Sequence, residues 1–370
     1  MLRETRHRLA PQILLVILSA VVTGVVAFVA GEIAARILRP IPRHPPDYPW
    51  KLDPSIGFEF KPYAFYPEQL NREGFRSEDL PLAKRPDEFR ILTVGDSTCF
   101  GLLVSREHAW PYILEQVLNQ EPEDKKVEVI NAGVPGYVSY QALERVKHRG
   151  LKYNPDVVIA MVGWNDLHTS SLADWEPNIN FARIFAGFNR PYETIAHSRL
   201  LALFYVGLAR LRQRRILQRS NPRPFNERAL ELYRSNLEAM REASNSHGAV
   251  FALVVWPTLA NVTPPPANFE RKFLPLSVDE FRELYGRYTQ AIRQFARDHP
   301  DTVLVDPTEA FNASPLKSDL FLDKAHLSPE GNRLLALEIA RVLRERGVLP
   351  APATSSEVRP ASGRHSDVRH

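Results

Sequence analysis

Two short blocks, far apart in the chain, carry side chains that could perform acyl transfer. Gly95-Asp96-Ser97 closes an apolar run and offers a hydroxyl. Asp323 and His326, in Asp-Lys-Ala-His-Leu-Ser-Pro-Glu-Gly, offer a carboxylate and an imidazole at three-residue spacing. On a turn, that spacing lets the carboxylate bond one ring nitrogen, fix the tautomer and leave the other nitrogen free as a base. Neither block decides anything alone. Gly-Asp-Ser also makes ordinary turns, and Asp323 with His326 would serve equally as a surface ion pair or a helix cap. Two further blocks shift the balance: Asn131-Ala132-Gly133-Val134-Pro135-Gly136 and Gly163-Trp164-Asn165-Asp166. A glycine N–H and an asparagine amide suit a developing oxyanion, where losing one donor costs roughly 3 kcal/mol.

Such residues need a frame that brings them to one place. Short β-branched runs at Arg90–Gly95, Val127–Ile130, Asp156–Val162, Ala249–Trp256 and Thr302–Val305 read as strands. Helical patterns alternate with them at Trp110–Asn119, Tyr140–Arg149, Glu227–Asn245, Glu280–Arg297 and Pro329–Arg346, the last with Ser328 as N-cap. Strict β/α alternation predicts a five-stranded parallel sheet with helices on both faces, a three-layer α/β/α fold. Ligands bind such sheets at the carboxyl ends of the strands. All four blocks fall there or in the loop before the last helix. Leu167–Pro224 is too long for an ordinary connection and reads as an insertion. It holds an apolar stretch, Leu200–Ala209, followed by Arg210, Arg212, Arg214, Arg215 and Arg219.

Bulk composition excludes several classes. With 47 basic and 43 acidic residues the net charge is +4, too small and too dispersed for a nucleic-acid partner. The single cysteine, Cys99, rules out an intrachain disulfide, and no His/Cys cluster has metal-site spacing, so neither metal nor cofactor is expected. From Leu9 to Gly31 the chain carries no charge, enough apolar length for a bilayer-crossing helix. Arg3, Arg6 and Arg8 precede it and favour a cytoplasmic N-terminus. A cleaved signal peptide, cut near Val25-Val26-Ala27, is the competing reading. Residues 1–39 are therefore read as a cytoplasmic stub and signal anchor. Residues 40–70 are read as a Pro-rich spacer, 71–348 as the catalytic domain with insertion 167–224, and 349–370 as a disordered tail.

The four blocks together resemble those of the SGNH hydrolases, the GDSL-like esterases and lipases, over roughly Asn71 to Arg346. The resemblance extends to Ala109-Trp110-Pro111, and Asn71-Arg72-Glu73-Gly74-Phe75-Arg76 is similar to a segment of membrane-anchored bacterial members. It implies a flavodoxin-like sheet order and makes Ser97 the nucleophile, with Asp323 and His326 completing a triad. The backbone N–H of Ser97, that of Gly136 and the amide of Asn165 become the oxyanion hole. Gly133 is then a turn residue, and Asp96 and Asp166 make loop hydrogen bonds. His108, His148 and His168 have no comparable context, and Cys99 is expected to be a buried, inert thiol. The implied substrate is a small acyl ester or acylated glycan, met outside the cytoplasm by a membrane-tethered enzyme. The family also includes O-acyltransferases, lysophospholipases and thioesterases, so these stay open as alternatives. A non-catalytic glycan-binding scaffold would be expected to lack a catalytic residue type, and none is missing.

Overall fold

The computed structural model of the protein describes residues 2–38, 49–53, 55–66, 68–120, 124–170, 198–201, 203–204, 208, 225–261 and 277–350. The parallel strands are β3 (Glu88–Gly95), β4 (Lys126–Asn131), β5 (Val157–Met161), β6 (Val250–Val254) and β7 (Val303–Val305), in the order β4-β3-β5-β6-β7. Every pairing in this sheet is parallel. All eight residues of β3 and all five of β5 are buried, as expected of strands covered on both faces. The run Arg90–Gly95 therefore forms an interior strand, between β4 and β5, extended by two residues at its start.

Helices cover both faces. Leading out of β3 is the single turn α2 (Ser97–Phe100), and α3 (Trp110–Leu118) then packs beside α9 (Pro329–Glu345). On the other face α4 (Ser139–Arg145) packs on α6 (Glu227–Ser246), which in turn meets α7 (Val278–Asp298). Between these lie α5 (Trp164–Ser170), following β5, and α8 (Thr308–Ala313), following β7. Caps set several boundaries. Ser328 Oγ accepts from Gly331 N at the start of α9, and Ser277 with Glu280 forms a reciprocal capping box that starts α7 two residues before the expected Glu280. The helix expected over Tyr140–Arg149 is regular only to Arg145 and then widens through Val146–Gly150.

At the N-terminus α1 (Leu2–Leu38) includes Leu14–Ile37, the one helix among the described residues long and apolar enough to cross a membrane. Residues 40–48 and 351–370, in the expected spacer and tail, lie outside the described residues. So do 171–197 and 209–224 of the insertion, including the arginines from 210 to 219.

The second half of the expected spacer differs from its sequence reading. Strands β1 (Trp50–Asp53) and β2 (Gly57–Phe60) pair antiparallel and dock on the α/β body. Trp50, Ile56, Phe58, Phe60 and Leu70 form a second buried cluster with Phe100, Val134 and Tyr137. Trp50 stacks on Phe60 with ring centroids 3.9 Å apart. The proline content of residues 40–49 hides the change that follows it, to aromatic residues spaced for one face of a hairpin. Glu59, buried in the same hairpin, accepts from Arg145 and Arg149, which ties β2 to the helical layer.

Candidate active site

Gly95 ends β3 where it has no room for a side chain: a Cβ there would lie 2.2 Å from the carbonyl oxygen of Met161. The chain then turns through Asp96 into α2. Asp96 caps this helix by accepting from the backbone N and the hydroxyl of Thr98, at 2.8 and 2.7 Å. Asp96 is thus a loop-building residue, as expected, and its complete burial raises its carboxyl above the ordinary range. Capping holds Ser97 at the first position of the turn, above the sheet rim.

Across the rim, the loop before α9 presents the imidazole. His326 Nε2 lies 2.9 Å from Ser97 Oγ, and Nδ1 lies 2.7 Å from Asp323 Oδ2. The other carboxylate oxygen, Oδ1, accepts from the backbone N–H of Ala325 and of His326, each at 2.8 Å. Partial burial alone would raise the Asp323 carboxyl. The bond and charge of His326, with the two turn N–H groups, outweigh it and hold the carboxyl at about 2. An ionised Asp323 accepts from Nδ1–H, so Nε2 is left to accept from the Ser97 hydroxyl. Residues 229 apart in sequence meet in one chain of hydrogen bonds.

The two donor blocks flank this chain. After β4, Gly133 is pressed against α2, a Cβ there lying 2.5 Å from Phe100 N, so close approach rather than the expected turn fixes its identity, and the turn itself falls at Pro135 and Gly136. Gly136 takes φ 88°, a left-handed conformation that glycine adopts without strain. Neither the Gly136 N–H nor the Ser97 N–H donates to another described residue. After β5, Asn165 Nδ2 donates to the carbonyl of Tyr137 at 2.9 Å, which leaves its second amide hydrogen for a ligand. Its neighbour Asp166 accepts from Ser139 N, at 3.1 and 3.0 Å, and from Ser139 Oγ at 2.5 Å. Asn165 and Asp166 therefore grip the Gly136–Ser139 stretch from one helical turn. Burial lifts the Asp166 carboxyl to about 7, against the Ser139 bonds that favour its charge.

Some functional residues had no signal in the four blocks. Arg76, buried, donates to the carbonyls of Phe100, Gly101 and Val104 at 3.0, 2.7 and 2.8 Å and to Glu68 at 2.7 Å. It satisfies the carboxyl end of the Ser97 turn. Arg145, also buried, donates to the carbonyls of Ala132 and Gly74, at 2.9 and 3.0 Å, and so fixes the root of the donor loop. Arg76 was flagged only as the last residue of the resembled segment Asn71–Arg76, with no signal of this role, and Arg145 was not flagged at all. Lys324, between the carboxylate and imidazole, lies with Nζ 5.8 Å from the Trp164 ring centroid, and burial lowers its ammonium below the ordinary range.

The three histidines without sequence context, His108, His148 and His168, stay apart from this chemistry. His108 is exposed beside Ser105, and His148 pairs with Glu144. His168 is half-buried against Trp164 and Phe281, and desolvation with the nearby Lys324 charge takes its ring down to about 3, so it packs as a neutral aromatic. Cys99 points into the core, where burial drives its thiol far above the ordinary range. That thiol is inert, as expected.

Comparison with known proteins follows the same blocks. The profile of the GDSL-like lipase/acylhydrolase family matches residues 93–334. No curated protein matches the chain. A lipase/acylhydrolase from Enterococcus faecalis is 19% identical with a TM-score of 0.45, the match covering 72% of this chain and 100% of that one. A lipolytic protein of the G-D-S-L family from Desulfitobacterium hafniense is 16% identical with a TM-score of 0.40, covering 69% and 99%. An acetylxylan esterase from Geobacillus stearothermophilus is 16% identical with a TM-score of 0.41, covering 69% and 94%. Since the family profile spans more than half of the sequence, from the strand before Ser97 to the helix after His326, the chain belongs to the GDSL-like lipase/acylhydrolase family and is an ester-hydrolysing enzyme.

Proposed function

We propose that the protein is a membrane-tethered serine esterase that removes short acyl groups, acetyl above all, from an envelope or exported glycan. Ser97 Oγ attacks the ester carbonyl while His326 Nε2 takes its proton and Asp323 holds the imidazole in the productive tautomer. The N–H groups of Ser97 and Gly136 and the free amide hydrogen of Asn165 receive the oxyanion. The alcohol leaves with the proton from His326, and water, deprotonated by the same nitrogen, releases the acid. The observation that carries this reading is the 2.9 Å approach of His326 Nε2 to Ser97 Oγ, backed by the ionised Asp323. The glycan assignment is supported by topology. Arg3, Arg6 and Arg8 ahead of the apolar span Leu14–Ile37 favour an N-terminus held in the cytoplasm, with the catalytic domain on the far face. The test is a panel of p-nitrophenyl esters of increasing chain length and of acetylated glycans, assayed with the wild type and Ser97→Ala. Turnover confined to short acyl groups and abolished in a folded Ser97→Ala protein is expected. Undiminished turnover by that variant removes Ser97 from the mechanism, and a preference for long-chain esters removes the glycan assignment.

A further inference from the structure

One contact joins the membrane helix to the insertion. Glu32 of α1 accepts from Ser198 Oγ at 2.8 Å and from the backbone N–H of Arg199 and of Leu200, each at 2.9 Å. It thereby caps the helical stretch that begins at Arg199. At the preceding residue of α1 the two stretches touch. The Leu200 side chain sits over Gly31, so close that a Cβ there would lie 2.9 Å from Leu200 Cδ2. Ala35, one turn beyond Gly31, is the buried residue of the apolar span. Small residues at such spacing let helix backbones approach inside a bilayer.

The outward side of the stretch has the opposite character. Leu201, Phe204 and Leu208, at helical spacing, are 42%, 67% and 50% exposed, beside an α1 whose own apolar side chains are as open. Glu32 stands five residues before Ile37, where the span ends, or about 7.5 Å along the helix axis. A helix lying in the interface sinks its apolar face about 5–10 Å into the headgroup and acyl boundary, a comparable depth. A bare carboxylate would resist that depth. This one is satisfied by Ser198, two helix N–H groups and Arg36 Nε at 2.8 Å.

We propose that the helical residues Arg199–Leu201, Phe204 and Leu208 are a second membrane contact, clamped to the anchor through Glu32 and Gly31 and laying Leu201, Phe204 and Leu208 among lipid acyl chains. These residues of the insertion then belong to the bilayer surface rather than to the aqueous face of the domain. It rests on the reading of α1 as a membrane span, and the test separates the two. In full-length protein in lipid nanodiscs, a nitroxide is placed singly at F204C, L208C, V26C (anchor) and L337C (exposed on α9). Native Cys99 is fully buried and does not compete for label. Collision of each label with oxygen, which concentrates in lipid, is compared with collision with a water-soluble nickel chelate, in variants that retain turnover of a soluble ester. The expected oxygen-to-nickel ratio at 204 and 208 is several-fold above that at 337 and approaches that at 26. A lipid-like ratio at 26 with water-like ratios at 204 and 208 overturns the second contact alone. Water-like ratios at all four positions overturn the anchor and the second contact together. Low collision with both reagents at 204 and 208 means a protein partner covers them, which also overturns it.

Discussion

The Asp323 carboxylate has two oxygens with different duties. Oδ1 serves the backbone, taking the N–H groups of Ala325 and His326, and Oδ2 takes the ring N–H of His326. Asparagine has only one accepting oxygen. In Asp323→Asn, keeping the turn intact points the amide NH2 at Nδ1, which forces the proton onto Nε2 and leaves no base facing Ser97. The expected loss in kcat is about 10⁴, as for the same change in other triads, with little change in KM. A loss below tenfold would show that the ring is oriented by something else. The depressed carboxyl also fixes a pH limit. Its ionised state, and the stability it contributes, is complete above the ordinary carboxylate range and is lost only as pH falls through about 2. An acid limb of the rate profile at pH 5 or above would therefore not belong to Asp323. For Asn165→Ala the expected loss is about 10²–10³ in kcat, the cost of one oxyanion donor. Its thermal midpoint should also fall slightly, because the bond to Tyr137 O is lost with it.

Between elements, buried charges hold the catalytic loops to one another. Asp166 joins the start of α5 to the start of α4 through Ser139, with Asn236 of α6 donating to the same hydroxyl at 2.9 Å. Its folded carboxyl at about 7 lies above its unfolded value, so between roughly pH 4 and 7 the unfolded chain releases a proton that the folded one keeps. Stability therefore falls as pH rises through that window, by on the order of 4 kcal/mol for a shift of this size. Asp166→Asn should remove that component: relative to the variant, the wild type loses stability from pH 5 to pH 8 in urea unfolding. Parallel pH dependences would refute the assignment. Arg76→Met leaves three backbone carbonyls and Glu68 without their donor and should cost about 3–5 kcal/mol, read as a lower urea midpoint. These couplings mark the limit of what the sequence reveals. The strands were legible because β-branched runs such as Ile91–Val94 have no competing helical period. The blocks were legible because glycine, serine, asparagine and histidine at strand ends have few structural uses in combination. Arg76 and Arg145 were not, because an arginine that caps backbone carbonyls looks the same in sequence as one facing water. The hairpin at residues 50–60 was missed for a related reason: the prolines before it dominated the local composition.

At the scale of the whole molecule, the position of the domain boundary decides what the catalytic unit is. The sequence resemblance begins at Asn71, which makes everything before it look like tether. Against that, Tyr137 donates its hydroxyl to the carbonyl of Phe58 at 2.7 Å, and its own carbonyl receives Asn165. The hairpin thus buttresses the residue that positions the donor amide. Phe60 and Tyr66 also pack on Phe100 at the end of the Ser97 turn, with ring centroids 5.5 and 6.0 Å apart. Starting the chain at residue 71 would uncover Phe100, Val134 and Tyr137 and leave Arg145 and Arg149 without Glu59. Several buried aromatic faces, each worth about 1.5–3 kcal/mol, exceed the margin that keeps a domain folded. Starting at residue 49 removes α1 and keeps all of these contacts. Two truncations therefore give opposite expectations for kcat on a soluble short-chain ester, measured in mild detergent to cover Leu201, Phe204 and Leu208. Chains beginning at 49 should match the full-length enzyme within about twofold, since none of the hydrogen bonds that build the site comes from α1. Those beginning at 71 should aggregate or lose most of their kcat. Equal activity of the two would return residues 50–70 to the role of a spacer and leave Phe58 without influence on Asn165.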